Sequence, residues 1–217
     1  MRIFFFILSF FLISAAPAGS LISPPHAPTV VLDVGHGGTD QGARANGPYC
    51  EEKKICLLTA RLVKQYLEQL GYHVVMTRSA DHFISLPRRV EIATQANANI
   101  FVSIHYNSCR SPEANGVEIW FFDSKENKTR AAASRKLADS ILKRVIRNTD
   151  AKSRGVKKGN FYVTRETTMP AVIVEGGFIS NPQERALLKS RDYQEKIAQG
   201  IADGVDQYFK ARWRGAK

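Results

Sequence analysis

Short apolar runs alternate along this chain with longer stretches in which apolar residues return every third or fourth position. The first pattern marks buried strands and the second amphipathic helices, so the alternation predicts a single α/β domain. Its sheet is expected to be mostly parallel and twisted, with helices on both faces. Residues 29–32, 73–77, 100–104, 116–122, 160–163 and 171–174 read as strands. Residues 53–70 read as a helix, with Ile55, Leu58, Leu62, Tyr66 and Leu70 on one stripe and Gly71 as the stop. Ser85 ahead of Pro87 carries helix-start chemistry, and Asn181-Pro-Gln-Glu184 opens another helix by capping logic. Residues 130–147 form a basic amphipathic pattern. Tyr193, Ile197, Ile201, Val205 and Tyr208 stripe a last helix, and residues 210–217 read as a solvated basic tail.

The first residues do not belong to this pattern. Arg2 precedes an apolar run from Ile3 to Ile13 that only Ser9 interrupts, and Ala16-Pro17-Ala18 fits a small-residue cleavage site. The run is short for a bilayer span. Residues 1–18 are therefore expected to be a cleaved export signal, residues 19–28 a short Pro-containing tether, and residues 29–217 the folded domain. An exported, periplasmic or cell-envelope-associated protein follows, touching membrane only through the leader if it is kept. The net charge of +11 suggests an anionic partner. Export argues against nucleic acid and for the cell envelope. Three cysteines leave at least one without an intramolecular partner. Cys50 and Cys109 are candidates to face each other or pair, while Cys56 falls in a helical apolar pattern and reads as core.

The chemistry collects at the ends of elements. His36 follows the first strand in Asp33-Val-Gly-His-Gly-Gly38, His105 ends the run from Ile100, and Glu175 ends the run from Val172. Glu51-Glu52 opens the first helix. In α/β sheets that edge is where ligands bind. Two histidines with one carboxylate make a hydrolytic zinc set, and a further glutamate is its usual acid/base. A lone histidine at a strand end is more often structural, and a glutamate in a first turn often only complements the helix dipole. Glu175 is harder to dismiss, because a carboxylate next to core is costly unless paired or functional. The joint pattern is more specific than any member.

These residues carry a resemblance. Val31-Leu-Asp-Val-Gly-His-Gly-Gly-Thr-Asp-Gln-Gly-Ala43 resembles the opening motif of zinc-dependent N-acetylmuramoyl-L-alanine amidases of the type-3 group. Glu52-Lys-Lys-Ile-Cys-Leu-Leu-Thr-Ala60 is similar to the second motif, and its spacing favours Glu52 over Glu51. Ala98 to Asn107 resembles the third and Met169 to Pro182 the fourth. Thr77-Arg78, Leu86 with Arg89, and Gly116-Val-Glu118 fit as well, so the resemblance runs from Val30 to Phe209. It implies one Zn²⁺ on His36, Glu52 and His105, with Glu175 catalytic. It also implies hydrolysis of the amide between N-acetylmuramic acid and the L-alanine of the stem peptide, in wall remodelling or daughter-cell separation. Peptidoglycan or muropeptides would be the partner, beside any envelope activator. Asn107 and Gly176 are candidate substrate contacts; Arg78 and Arg89 could pair with acidic groups and hold loops or contact substrate, and the structural role is the one expected. Val34 stands where the family usually has Pro, and Lys54 where an acidic residue is common; neither removes a proposed ligand. No plug helix, repeat domain or oligomeric interface is visible, so a monomer is expected.

Two other readings stay in view. Ser140-Ile-Leu-Lys143 matches the Ser-x-x-Lys of penicillin-binding serine enzymes, so Ser140 and Lys143 are candidates for an additional D,D-carboxypeptidase. About one such match is expected by chance in a chain of this composition. A peptidoglycan-binding protein that lost its chemistry would be expected to lack a ligand or the catalytic glutamate, and all four are here. A zinc peptidase acting within the stem peptide would be separated by product analysis.

Overall fold

The computed structural model describes residues 27–47 and 49–214. The expected signal and nearly all of the tether lie outside them. In chain order the elements are β1 (Thr29–Val34), β2 (Arg44–Asn46), β3 (Tyr49–Glu51), α1 (Glu52–Gln69), β4 (His73–Met76), α2 (Leu86–Gln95) and β5 (Ile100–Asn107). Then follow β6 (Val117–Phe121), α3 (Lys128–Thr149), β7 (Ser153–Lys158), α4 (Tyr162–Glu166), β8 (Ala171–Phe178), α5 (Pro182–Leu188) and α6 (Arg191–Arg214). Six strands form one sheet in the order β4-β1-β5-β8-β6-β7. Every neighbouring pair is parallel except β6 with β8, and β2 and β3 form a separate small hairpin.

The central strands are apolar on both faces because both faces are covered. Leu32, Val34, Val102, Ile104, Val172 and Val174 turn toward α1, α3 and α6, where they meet Leu67, Ile141, Ile197 and Ile201. Val31, Phe101, Ala171 and Ile173 turn the other way, toward Ala93 of α2 and Val163 of α4. The helices start where the capping chemistry puts them. Ser85 accepts from the Arg88 backbone, Asn127 from Arg130 and Asn181 from Glu184. Two glycines let α6 lie against α3. A Cβ on Gly200 would come 2.6 Å from Val145 Cα, and one on Gly204 would come 2.4 Å from Ile141 Cα.

Three expectations are corrected. Residues 160–163 do not form a strand; Tyr162–Glu166 is a short helix whose Thr164 hydroxyl donates back to the Phe161 carbonyl. The sheet edge goes instead to β7, whose Ser-Arg-Gly-Val-Lys-Lys run is too polar to announce a strand. The basic tail is helical as far as Arg214, because Trp213 stacks on Phe209 at 6.0 Å and prolongs the apolar stripe. Cys50 and Cys109 do not pair: one is buried, the other exposed, and all three cysteines are free thiols. Cys56 is core, as its pattern indicates.

Candidate metal centre

The C-terminal ends of β1, β5 and β8 lie side by side because these strands are parallel and adjacent. Their terminal residues therefore converge. His36 leaves β1 through a turn in which it adopts φ 58°, followed by Gly37 at φ 127° and Gly38 at φ 57°. A non-glycine residue in this left-handed region costs energy and must be held there. Two buried arginines hold it. Arg89 donates from Nη1 to the Val34 carbonyl and from Nη2 to the His36 carbonyl at 2.8 Å. Arg78 donates to Val34 and Gly35, and ties the same turn to the Lys53 carbonyl of α1 at 2.8 Å. Arg89 is itself balanced by Asp33 at 2.7 Å, and Asp33 also accepts from Ser103 and Thr77. The expectation that both arginines hold loops is met by these bonds.

Glu52, in the first turn of α1, is the carboxylate that reaches the site. One oxygen, Oε1, lies 3.0 Å from both His36 Nε2 and His105 Nδ1 and accepts from the Tyr106 backbone at 3.1 Å. The other accepts from the Ala43 backbone at 2.8 Å. One donor atom from each of His36, Glu52 and His105 lies within 4.8 Å of the other two. Glu51 points elsewhere, to the Tyr49 hydroxyl and Lys54. Asp40 Oδ1 is hydrogen-bonded to His36 Nδ1 at 2.9 Å, which fixes the orientation of the ring. Two glycines make the room. A Cβ on Gly35 would lie 2.6 Å from the His105 ring, and one on Gly42 would lie 2.6 Å from both Glu52 Oε2 and the His36 ring.

The electrostatics follow from burial and from these pairings. Burial alone would raise the Glu52 carboxyl, but the hydrogen bonds from His105 and His36 overcome it and hold the group ionised, well below the usual range. Burial would depress His105; the bond and charge of Glu52 outweigh it and lift His105 to about 9. Glu175 stands in register with His105 on one side and Glu118 on the other. Its Oε2 is out of contact with water and has no hydrogen-bond partner among the described residues. Burial, with the charges of Glu52 and Glu118 adding to it, pushes Glu175 up to about 7 despite the opposing effect of His105. A cleft of about 190 Å³ opens beside His36 and His105, with Phe83, Leu86 and Val163 on its walls.

The family model described as N-acetylmuramoyl-L-alanine amidase, Amidase_3, matches residues 30–207. The chain belongs to this amidase family. It is 38% identical over 197 residues to YqiI, an uncharacterized protein of Bacillus subtilis, covering 91% of this chain and 92% of that one. It is 37% identical over 198 residues to the N-acetylmuramoyl-L-alanine amidase LytC of the same organism, over 91% of this chain but 39% of LytC. Of the probable cell wall amidase LytH of Staphylococcus epidermidis, at 35% identity, it spans 64%. Among solved structures it is similar to the catalytic domain of CwlV, an amidase from Bacillus (Paenibacillus) polymyxa. That likeness has a TM-score of 0.78 and 42% identity over 84% of this chain and 98% of that one. The N-acetylmuramoyl-L-alanine amidase of Clostridium difficile superposes with a TM-score of 0.80 at 32% identity, over 86% and 98% of the two chains.

In this amidase the remaining candidates fall in different places. Asn107 is committed to the protein: its Nδ2 donates to Glu118 at 2.9 Å and its Oδ1 accepts from the Ser108 backbone. Gly176 faces away from the cleft, and a Cβ there would meet the Tyr106 ring at 2.7 Å, so the structure gives it a packing role. Ser140 and Lys143 lie midway along α3, against α6 and in solvent, and the fold does not bring them to the site. Sequence reasoning missed Asp40, whose signal was its spacing four residues past His36 in the glycine turn. It also passed over Glu118 as a site neighbour. Glu118 is buried beside Glu175 and takes Arg154 at 2.7 Å and Lys157 at 2.6 Å. Both cations come from β7, the strand the sequence did not reveal.

Proposed function

We propose that this chain is a zinc-dependent hydrolase. It cleaves the amide between N-acetylmuramic acid and the L-alanine of peptidoglycan stem peptides, outside the cytoplasm, in wall remodelling or cell separation. One observation carries the reading. Three donors of the His-carboxylate-His type lie within 4.8 Å of one another, in register with a carboxylate whose Oε2 is buried and unpartnered. The donor chemistry fits zinc: two imidazoles and one oxygen make the three-ligand set of a catalytic site, which leaves a position open. His36, Glu52 and His105 would hold the ion, and Asp40 would fix the His36 ring. Zinc bound there supplies Lewis acidity toward the scissile carbonyl and makes water easier to deprotonate.

The chain's own residues do the rest. Glu175 takes the proton of the attacking water and returns it to the departing amine. A carboxyl held near 7 is matched to both transfers at neutral pH. Arg78 and Arg89 keep the His36 turn in its left-handed form throughout the cycle. Phe83 and Leu86 give the cleft an apolar border.

The test is the zinc content and the products of the chain from Gly19, wild type beside Glu175→Ala. About one zinc per chain, release of stem peptides with a free N-terminal alanine, and loss of release but not of zinc in the variant are expected. Wild type without zinc, or undiminished release by the variant, overturns the mechanism. Fragments cut inside the stem peptide would make the chain a peptidase instead.

A further inference from the structure

The edge of the sheet opposite the metal centre carries a second feature. Because β6 runs antiparallel to β8, it delivers the chain to α3 at the far edge, and α6 returns to that same edge at its C-terminal end. Between the start of α3 and the end of α6 lies a groove of about 500 Å³, lined by Lys128, Ala132, Ala133, Lys136, Tyr208 and Arg212. Its floor is small and apolar, and its rim is cationic. Lys128, Lys136 and Arg212 have no carboxylate partner among the described residues. The acids around them are engaged elsewhere: Asp123 with Lys158, Asp139 with Arg135, Asp206 with Lys210, and Glu126 with the Ser124 hydroxyl. At the same end of α6, Trp213 is 40% exposed and stacks on Phe209, on the flank of the helix that meets Tyr72.

We propose that this groove docks the protein on an anionic phospholipid surface. Three observations select that occupant. The unpartnered cations match phosphate headgroups, and each contributes near an anionic leaflet through a field that salt screens. An exposed tryptophan at the same end of α6 as the cations suits the boundary between headgroup and acyl chain. The chain also enters β1 from this same edge, and the sequence ahead of Thr29 carries the apolar run of residues 3–13. If that segment is kept, a membrane that holds it is joined to the fold at the edge where the groove opens. Docked in this way, the protein turns His36, His105 and Glu175 away from the bilayer. The proposal extends membrane contact beyond the leader, to which the sequence alone confined it. It does not depend on zinc or on the reaction.

The test uses the chain from Gly19, which keeps every residue of the described fold and removes the apolar leader. Co-sedimentation is measured with vesicles of phosphatidylglycerol and phosphatidylcholine, with phosphatidylcholine alone, and with poly(glycerol phosphate) as a soluble anionic polymer. Binding to the anionic vesicles is expected, falling with salt. Lys128→Gln/Lys136→Gln/Arg212→Gln is expected to lose about a hundredfold, at about fivefold per cation. The charge-matched control Lys143→Gln/Lys152→Gln/Lys189→Gln changes three exposed cations elsewhere and is expected to lose less than a tenth of that factor. Trp213→Ala is expected to weaken vesicle binding without changing its salt dependence. Hydrolysis of soluble muropeptides should be unchanged in the groove variants, and Lys136→Glu alone supplies a second reading should the triple variant unfold. Equal losses for the two triple variants, or binding to the polymer but not to the vesicles, overturns the proposal.

Discussion

Replacing Glu175 by Gln tests the electrostatics of the site without any assay of turnover. In the metal-free fold the Glu175 carboxyl is raised from 4.5 to about 7, chiefly because its burial penalises the charged form. Between those two values the folded protein holds a proton that the unfolded chain has released. Raising the pH through this window therefore weakens the fold, and the contribution is lost once the pH passes about 7. At ~1.4 kcal/mol for each tenfold change in proton affinity, the span corresponds to up to ~3 kcal/mol. The variant Glu175→Gln is of nearly the same size and cannot ionise. Its stability relative to wild type is expected to rise by up to ~3 kcal/mol between pH 4.5 and pH 8. Urea unfolding of both proteins in the presence of a chelator measures that difference, and the titrations common to both largely cancel. Zinc should shrink the effect, because a nearby cation favours the carboxylate. A difference that stays constant across the pH range, or that moves toward wild type as pH rises, would refute the argument.

Gly42→Ala is expected to abolish zinc binding, since its Cβ would lie 2.6 Å from Glu52 Oε2 and the His36 ring at a backbone φ of 64°; metal content after dialysis checks it. Asp40→Asn should retain the fold and weaken zinc affinity by about 10- to 100-fold, read by competition with a chelating dye. Arg89→Met strands Asp33 as an unpaired buried charge and frees the His36 turn, so a loss of about 3–5 kcal/mol in urea unfolding is expected. Gly204→Ala should lower the melting temperature without touching zinc content, because its Cβ would press on Ile141 Cα from across the α3–α6 contact.

Much of this site could be read in the chain because a short sequence window is enough to place its residues. His36, His105 and Glu175 each close an apolar run, and once β1, β5 and β8 are parallel neighbours their ends meet. Glu52 is fixed by its place in the first turn of α1; the spacing after it already favours it over Glu51, and the direction of the two side chains agrees. Asp40 was legible in spacing and went unread. Glu118 with Arg154 and Lys157 was not legible. Its meaning depends on β7 lying along β6, and a polar edge strand covered on only part of its surface has no apolar alternation to reveal it. The reading of Cys50 and Cys109 failed for the same reason: nearness in sequence to site residues says nothing of direction, and the fold sends one thiol inward and the other to solvent.

The sequence by itself determined the α/β class, most strands and helices, the helix caps and the four residues at the strand and helix ends. Each of these follows from periodicity or from chemistry within a few positions. Only the tertiary structure decided which glycines are needed to admit the histidine rings and the Glu52 carboxylate. It also decided that Gly176 packs against Tyr106, that Ser140 lies far from the cleft, and that unpartnered cations from two helices share one groove at the opposite edge. These depend on contacts between residues distant in the chain, and a local pattern cannot encode the direction in which a side chain meets its neighbour.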